Sequence, residues 1–139
     1  YLNLCLPSVR PMGGAGPMFL EDQLLWIDAS DVLLAFTFRR YSVATANAVK
    51  VFRQRGGKVV LITDAASAPA AASAHHVLFA RSSSASPFDS YTAAFSVCNA
   101  LLAAVAQRRR KELGAALERG EDLWESKWIR PANEGAANK

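Results

Sequence analysis

The stretch from Ser30 to Asp64, SDVLLAFTFRRYSVATANAVKVFRQRGGKVVLITD, constrains the fold more than any other part of the chain. Val32-Leu33-Leu34-Ala35-Phe36 is an apolar run without polar alternation, the pattern of a strand covered on both faces. Lys58-Val59-Val60-Leu61-Ile62 is a second such run. Between them Thr45, Ala48, Val49 and Phe52 recur at i, i+3, i+4, i+7 and form one apolar helical stripe. Asn47, Lys50 and Gln54 fall on the other side. Gly56-Gly57 stops that helix, because glycine reaches left-handed φ/ψ without steric cost. Strand, helix and strand predict a βαβ unit with parallel strands and a right-handed crossover. In open parallel sheets ligands sit at the carboxyl ends of the strands, beside helix N-termini, which selects Thr37 to Thr45.

The 139 residues suffice for one domain with a real core, and a hydrophobic content of 51% argues against disorder. No apolar run reaches the ~18–20 residues of a membrane helix, and no charged-then-apolar signal pattern opens the chain. A cytoplasmic location is expected. Cys5 and Cys98, far apart in apolar stretches, read as buried free thiols, and no Cys/His spacing suits zinc. Much of the net charge of +4 comes from Arg108-Arg109-Arg110-Lys111, so it says little about a partner. The sequence begins at Tyr1, not methionine, and is expected to be part of a longer protein.

Tyr1–Leu6 suits the end of a helix broken by Pro7, and Ser8–Met12 a weak edge strand, since Pro11 removes a donor. Gly13–Pro17 is a loop. Leu20, Leu24 and Ile27 recur at helical spacing and predict a helix from Phe19 to Asp28. After the βαβ unit, Ser67 as N-cap and Pro69 in the first turn predict an alanine-rich helix to Ala74. His76–Phe79 predicts a third parallel strand, and Ser82–Pro87 a serine-rich loop. Ser90–Gln107 predicts a long helix, apolar nearly all round and therefore buried nearly all round. A symmetric dimer through this helix is the expected cover, the alternative being a central core helix in a monomer. Arg108–Lys111 would then complement the helix C-terminus, rather than form a nucleic-acid patch. Leu113, Leu117, Leu123, Trp124 and Trp128 suggest a further amphipathic segment, and Asn133–Lys139 a frayed tail.

Ser42-Val43-Ala44-Thr45 stands where the first strand hands over to the helix, where free N–H groups and the helix dipole favour an anion. Ser42 and Thr45 add hydroxyls, and Arg39 and Arg40 add fork-shaped donors. The candidate ligand-binding residues are Thr37, Arg39, Arg40, Ser42 and Thr45, with Ser83 and Ser84 of the serine loop. The plain alternative is that Ser42 only caps the helix and the arginines are solvated. No catalytic residue is expected. His75 and His76 are adjacent at a strand start, so at most one faces any pocket. Asp31 precedes its strand and falls at the wrong edge. Asp64 follows its strand at the right edge, with turn formation as its expected role. There is no GxGxxG and no P-loop, and neither cofactor nor metal is expected.

Asp31-Val32-Leu33-Leu34-Ala35-Phe36, Arg39-Arg40-Tyr41-Ser42-x-x-Thr45, Gly56 to Asp64 and Ser67-x-Pro69, taken in order, resemble a SIS (sugar isomerase) domain. Among these they most resemble the SIS domain of RpiR-type bacterial transcription regulators, as do Phe88-Asp89-Ser90 before an apolar helix and the Leu-Glu-rich tail. The resemblance covers Leu2 to Leu113, with residues 114–139 as a C-terminal helical segment and tail. It implies a three-layer αβα sandwich, flavodoxin-like, with five parallel strands in the order 2-1-3-4-5. Ser8–Met12 would be the second strand, and the first strand is missing from this sequence. It also implies binding of a phosphosugar or amino sugar through an S-x-S-G-x-T loop. Ser42 and Thr45 match that loop, whereas Arg40 replaces its first serine and Val43 its glycine. The resulting expectation is a homodimeric sensor that binds a phosphorylated sugar or related metabolite and controls DNA binding by an N-terminal domain outside this sequence. The alternatives are a phosphosugar aldose–ketose isomerase, with Asp89 the nearby carboxylate, and a bare dimerisation module.

Overall fold

The computed structural model describes residues 1–13 and 20–125. The chain divides into two compact units, residues 10–101 and residues 1–9 with the stretch from Leu102 onward. In the larger unit the βαβ expectation holds. Strand β1 (Val32–Thr37), helix α3 (Val43–Gln54) and strand β2 (Lys58–Thr63) follow one another, and β1 and β2 are parallel, with Val32 opposite Lys58 and Thr37 opposite Thr63. Strand β3 (His76–Phe79) adds in parallel to β2, giving one sheet of order β1-β2-β3.

Side-chain alternation along the strands sends odd and even positions to opposite faces. On one face Leu33, Ala35, Val59 and Leu61 pack with Ala48, Val49 and Phe52 of α3, so the predicted stripe is the buried one. On the other, Leu34, Phe38, Ile62 and Leu78 pack with Ala94, Val97 and Cys98 of helix α4 (Thr92–Arg108). The α/β sandwich therefore has helices on both faces of a parallel sheet. The two glycines after α3 act differently. Gly56 has φ +91°, the left-handed region that glycine occupies cheaply. Gly57 is needed for space, since a Cβ there would sit 2.6 Å from Phe52 Cδ1.

Several expected elements differ. Ser8–Met12 is irregular, not a strand: Pro7 and Pro11 lack donors, and no neighbouring strand offers a ladder. Among the described residues the outer edge of β1 has no partner strand. The helix expected to Asp28 is only Leu20–Gln23 (α2), Phe19 lying outside the described residues. Beyond Gln23 the chain closes i→i+3 turns, Leu25 N–H donating to Asp22 O and Ile27 N–H to Leu24 O. The Asp28 carboxylate then accepts from Ser30 N–H and Oγ–H, and that of Asp31 from Asp28 N–H, local bonds that compete with helix. Leu24 and Ile27 are buried nonetheless.

The alanine-rich helix is a single 3-10 turn, Ala71–Ser73, whose N-cap is Ala70 and not Ser67. Ala68 and Ala70 are buried, but so few residues between Pro69 and β3 leave no length to repay helix nucleation. Helix α4 begins two residues later than expected because Ser90 N–H donates to Ser82 O at 2.7 Å, outside the helix. Within the single chain Ala94 alone of the α4 residues is buried and Phe95 is 70% exposed, so the cover expected for this apolar helix does not come from the described residues of its own chain. In the smaller unit, helix α1 (Leu2–Cys5) packs against helix α5 (Arg110–Glu125). Arg108 ends α4 as the basic residue of its last turn, as expected, while Arg109 is a turn residue and Arg110 and Lys111 open α5. Leu113 N–H donates to Arg109 O, so helical bonding runs on into α5, and Arg109 pairs with Glu112 at 3.4 Å. Cys5 and Cys98 are free thiols, Cys5 buried and Cys98 half-buried. The loop from Gly14 to Pro17, Trp128 and the tail from Asn133 lie outside the described residues.

Candidate functional site

Strand β1 ends at Thr37, and Phe38 to Tyr41 lead into α3. Thr37 is buried, 6% exposed, against the end of β2 through its register partner Thr63. Ser42 is extended at φ −77°, ψ 128° and caps α3, its Oγ accepting from Thr45 N–H at 3.3 Å. The N–H groups of Val43 and Ala44 fall in the first turn, where an α-helix supplies no acceptor. Arg39 and Arg40 are exposed beside them, and Thr45 is half-buried. The loop after β1 and the first turn of α3 thus carry two guanidinium groups and two hydroxyls along the chain at the open end of a helix. Groups of these types at a helix N-terminus are the kind that bind oxyanions.

Ser83 and Ser84 are exposed. Ser84 uses its hydroxyl within its own loop, donating to Phe88 O at 2.8 Å. The serine that turns inward is Ser82, 4% exposed, which the sequence did not single out among its neighbours.

A second set of groups joins this mouth. Tyr41 Oη donates to Asp64 Oδ1 at 2.9 Å, and Ser82 Oγ donates to Asp64 Oδ2 at 3.4 Å. Asp64 is therefore more than a turn residue, since its two oxygens face the loops after β1 and β3. Burial works to raise its pKa. The Tyr41 hydroxyl, the backbone N–H groups of Asp64 and Arg39, and the Arg39 charge outweigh that and hold it below the usual carboxylate range. The Tyr41 phenol is pushed up by burial and by the Asp64 carboxylate, with Arg39 opposing. Tyr41 and Ser82 carried no signal beyond their places next to Arg40 and in the serine loop. Asp64 was legible only by its place at the carboxyl end of a strand.

His75 has a structural part: its Nδ1 accepts from Val59 N–H at 3.0 Å, and its backbone N–H donates to Val59 O. Burial and the charges of Arg53, Lys58 and His76 hold it below the usual imidazole range, as suits a ring that accepts. Asp89 is exposed. Among the described residues no group of three or more His, Cys, Asp or Glu could hold a metal ion.

A separate cleft of about 210 Å³ lies between β1 and α4, lined by Phe36, Phe38, Tyr91, Ala94, Phe95 and Cys98. None of the anion-loop residues lines it, and its apolar walls do not suit a phosphate. Phe38 and Tyr91 meet there with ring centroids 5.2 Å apart.

The family model of the SIS domain matches residues 12–104. The crystal structure of an RpiR transcription factor from Sphaerobacter thermophilus (sugar isomerase domain) is similar at TM-score 0.71 and 25% identity, over 82% of this chain and 62% of that chain. The crystal structure of a hypothetical protein is similar at TM-score 0.55 and 18% identity, over 75% of this chain and 59% of that one, a likeness of fold alone. The chain thus spans about three-fifths of the length of both. A search among curated proteins finds no match. No helix among the described residues is long and apolar enough to cross a membrane. With a family model covering most of the chain, and a sheet and helices that superpose on an RpiR regulator's sugar isomerase domain, the chain belongs to the SIS domain family.

Proposed function

We propose that this is the ligand-sensing SIS domain of an RpiR-type transcription regulator. The ligand is a phosphorylated sugar or related carbohydrate derivative, seated at the Arg39–Thr45 loop. What supports the reading is the loop itself: Arg39, Arg40 and Ser42 lead into the open N-terminus of α3, and Thr45 lies in its first turn. The likeness to a transcription factor's SIS domain supports regulation over turnover. So does the site's own carboxylate. Moving a proton next to a carbonyl needs a base poised near neutral pH, and Asp64 is held low and fully engaged. The regulator acts as a cytoplasmic homodimer through the helix 90–107, on which Tyr91 and Phe95 stay open in one chain. Ligand binding shifts the dimer and thereby the hold of an N-terminal domain on DNA, with affinities for ligand and DNA reciprocally linked.

Calorimetry of the full-length protein with a panel of sugar phosphates tests this. The expected result is heat from at least one of them and a matching change in operator affinity. Silence across the panel contradicts the proposal.

A further inference from the structure

The anion loop is not free-standing: beside the Phe38–Tyr91 ring contact, one carboxylate joins it to the serine loop. Asp64 lies just past the end of β2, the strand between the other two. Its Oδ1 accepts from Tyr41 Oη at 2.9 Å, inside the Arg39–Ser42 loop. Its Oδ2 accepts from Ser82 Oγ at 3.4 Å, at the root of the serine loop. Ser82 is buried and its carbonyl accepts from Ser90 N–H at 2.7 Å, two residues before α4. Tyr41 and Ser82 thus donate to opposite oxygens of this carboxylate, and Thr63 Oγ1 also donates to Oδ1 at 3.5 Å. A charged acceptor with a hydroxyl donor on each side is a stronger joint than two neutral bonds.

We propose that Asp64 is the positioning residue of the anion loop: acting through Tyr41, it holds Arg39 to Ser42 in place, and through Ser82 it ties that loop to the lead-in of α4. This rests on the reading of the loop as a ligand seat. It adds the route by which occupancy reaches the helix expected at the subunit contact. Asp64 itself touches no ligand in this account. Its negative charge beside Arg39 also sets the sign of one test. A mere competitor for the guanidinium would weaken phosphate binding, so its removal would tighten it. A positioning residue does the opposite.

The experiment is a mutant cycle on the full-length protein. Tyr41→Phe and Ser82→Ala are made singly and together, with Asp64 intact and again with Asp64→Asn, and the folding equilibrium is measured by urea. With Asp64 the two changes are expected to be non-additive, by about two-fold or more in the folding constant. With Asn at position 64 the coupling should fall toward none. Additive effects in the Asp64 background would overturn the proposal. A second arm titrates inorganic phosphate and follows the backbone amide signals of residues 42–45 and 90–94. In the parent both sets should move, whereas in Asp64→Asn the 42–45 set should need several-fold more phosphate and the 90–94 set should stay still. Tighter phosphate binding in Asp64→Asn, or an unchanged response at 90–94, also overturns the joint. Phosphate that moves no signal at 42–45 in the parent refutes the ligand seat instead, and the mutant cycle then decides the role of Asp64 by itself.

Discussion

The two faces of the sheet are built from the same three strands and end up in different states. On the α3 face Val49, Phe52, Val59 and Leu61 are fully buried, and Leu24, Ile27 and Ala70 close the margin. On the α4 face Ile62, Ala80 and Ala94 are buried, while Phe36, Tyr91 and Phe95 stand open around the apolar cleft. The first face is closed over β1 and β2 within one chain, with Phe79 at the end of β3 58% exposed. The second is complete only over β2 and β3. Toward the unpaired edge of β1, apolar side chains outrun the cover available. The contrast separates stability from assembly: substitutions on the sealed face should act on folding, and those around the cleft on whatever association covers it.

The sharpest way to break that contrast is to truncate one aromatic on each face. Phe52→Ala on the sealed face should lose about 3–5 kcal/mol of folding stability by urea denaturation. Phe95→Ala should change folding by only about 0.5 kcal/mol or less, and should show itself in sedimentation as a weaker dimer. Comparable folding losses at the two positions would erase the distinction. Next in size is the glycine beneath the Phe52 ring. Gly57→Ala pushes a methyl into a ring that has no room to yield and should cost about 1–3 kcal/mol. Gly56→Ala, strained by its positive φ but with ordinary contacts, should cost about 1–2 kcal/mol. Removal of the helix cap by Ser42→Ala should cost about 1 kcal/mol.

The smallest effect concerns pH. The folded protein holds the His75 imidazole below its ordinary pKa, and its Nδ1 is occupied as an acceptor. As pH falls through the unfolded value near 6.5, the unfolded chain binds the proton first. Stability is therefore full above that pH, declines as pH drops toward the folded pKa, and levels off below it. A His75→Gln variant should lack this step in a series of unfolding curves at stepped pH. A step that survives the change belongs to another group.

The βαβ core was legible because its signals agree at every level: apolar runs without alternation, a stripe at helical spacing, and a double glycine. Where the reading failed, short-range chemistry replaced periodicity. The Leu20–Ile27 spacing suits a helix, yet Asp28 and Asp31 offer the backbone closer acceptors, and Leu24 and Ile27 reach the core from turns. Ser67 and Pro69 carry helix-start chemistry, but the chain reaches β3 before a helix can grow. In the site, Ser42 and Thr45 could be placed by position relative to α3. The Tyr41–Asp64–Ser82 joint could not, because three residues from three separate loops meet only once the strands are in register. The cover of α4 is a different matter: an apolar helix demands it, the sequence points to a second subunit, and one chain leaves Phe95 open.

The most direct test of the account compares sugar-phosphate affinity in the full-length protein with that of an Arg40→Ala, Thr45→Ala double variant of unchanged fold. The account predicts that the ligand giving the largest heat with the parent binds the double variant at least about ten-fold more weakly, about 1.4 kcal/mol. Equal affinity in the two proteins would contradict it and place the ligand elsewhere.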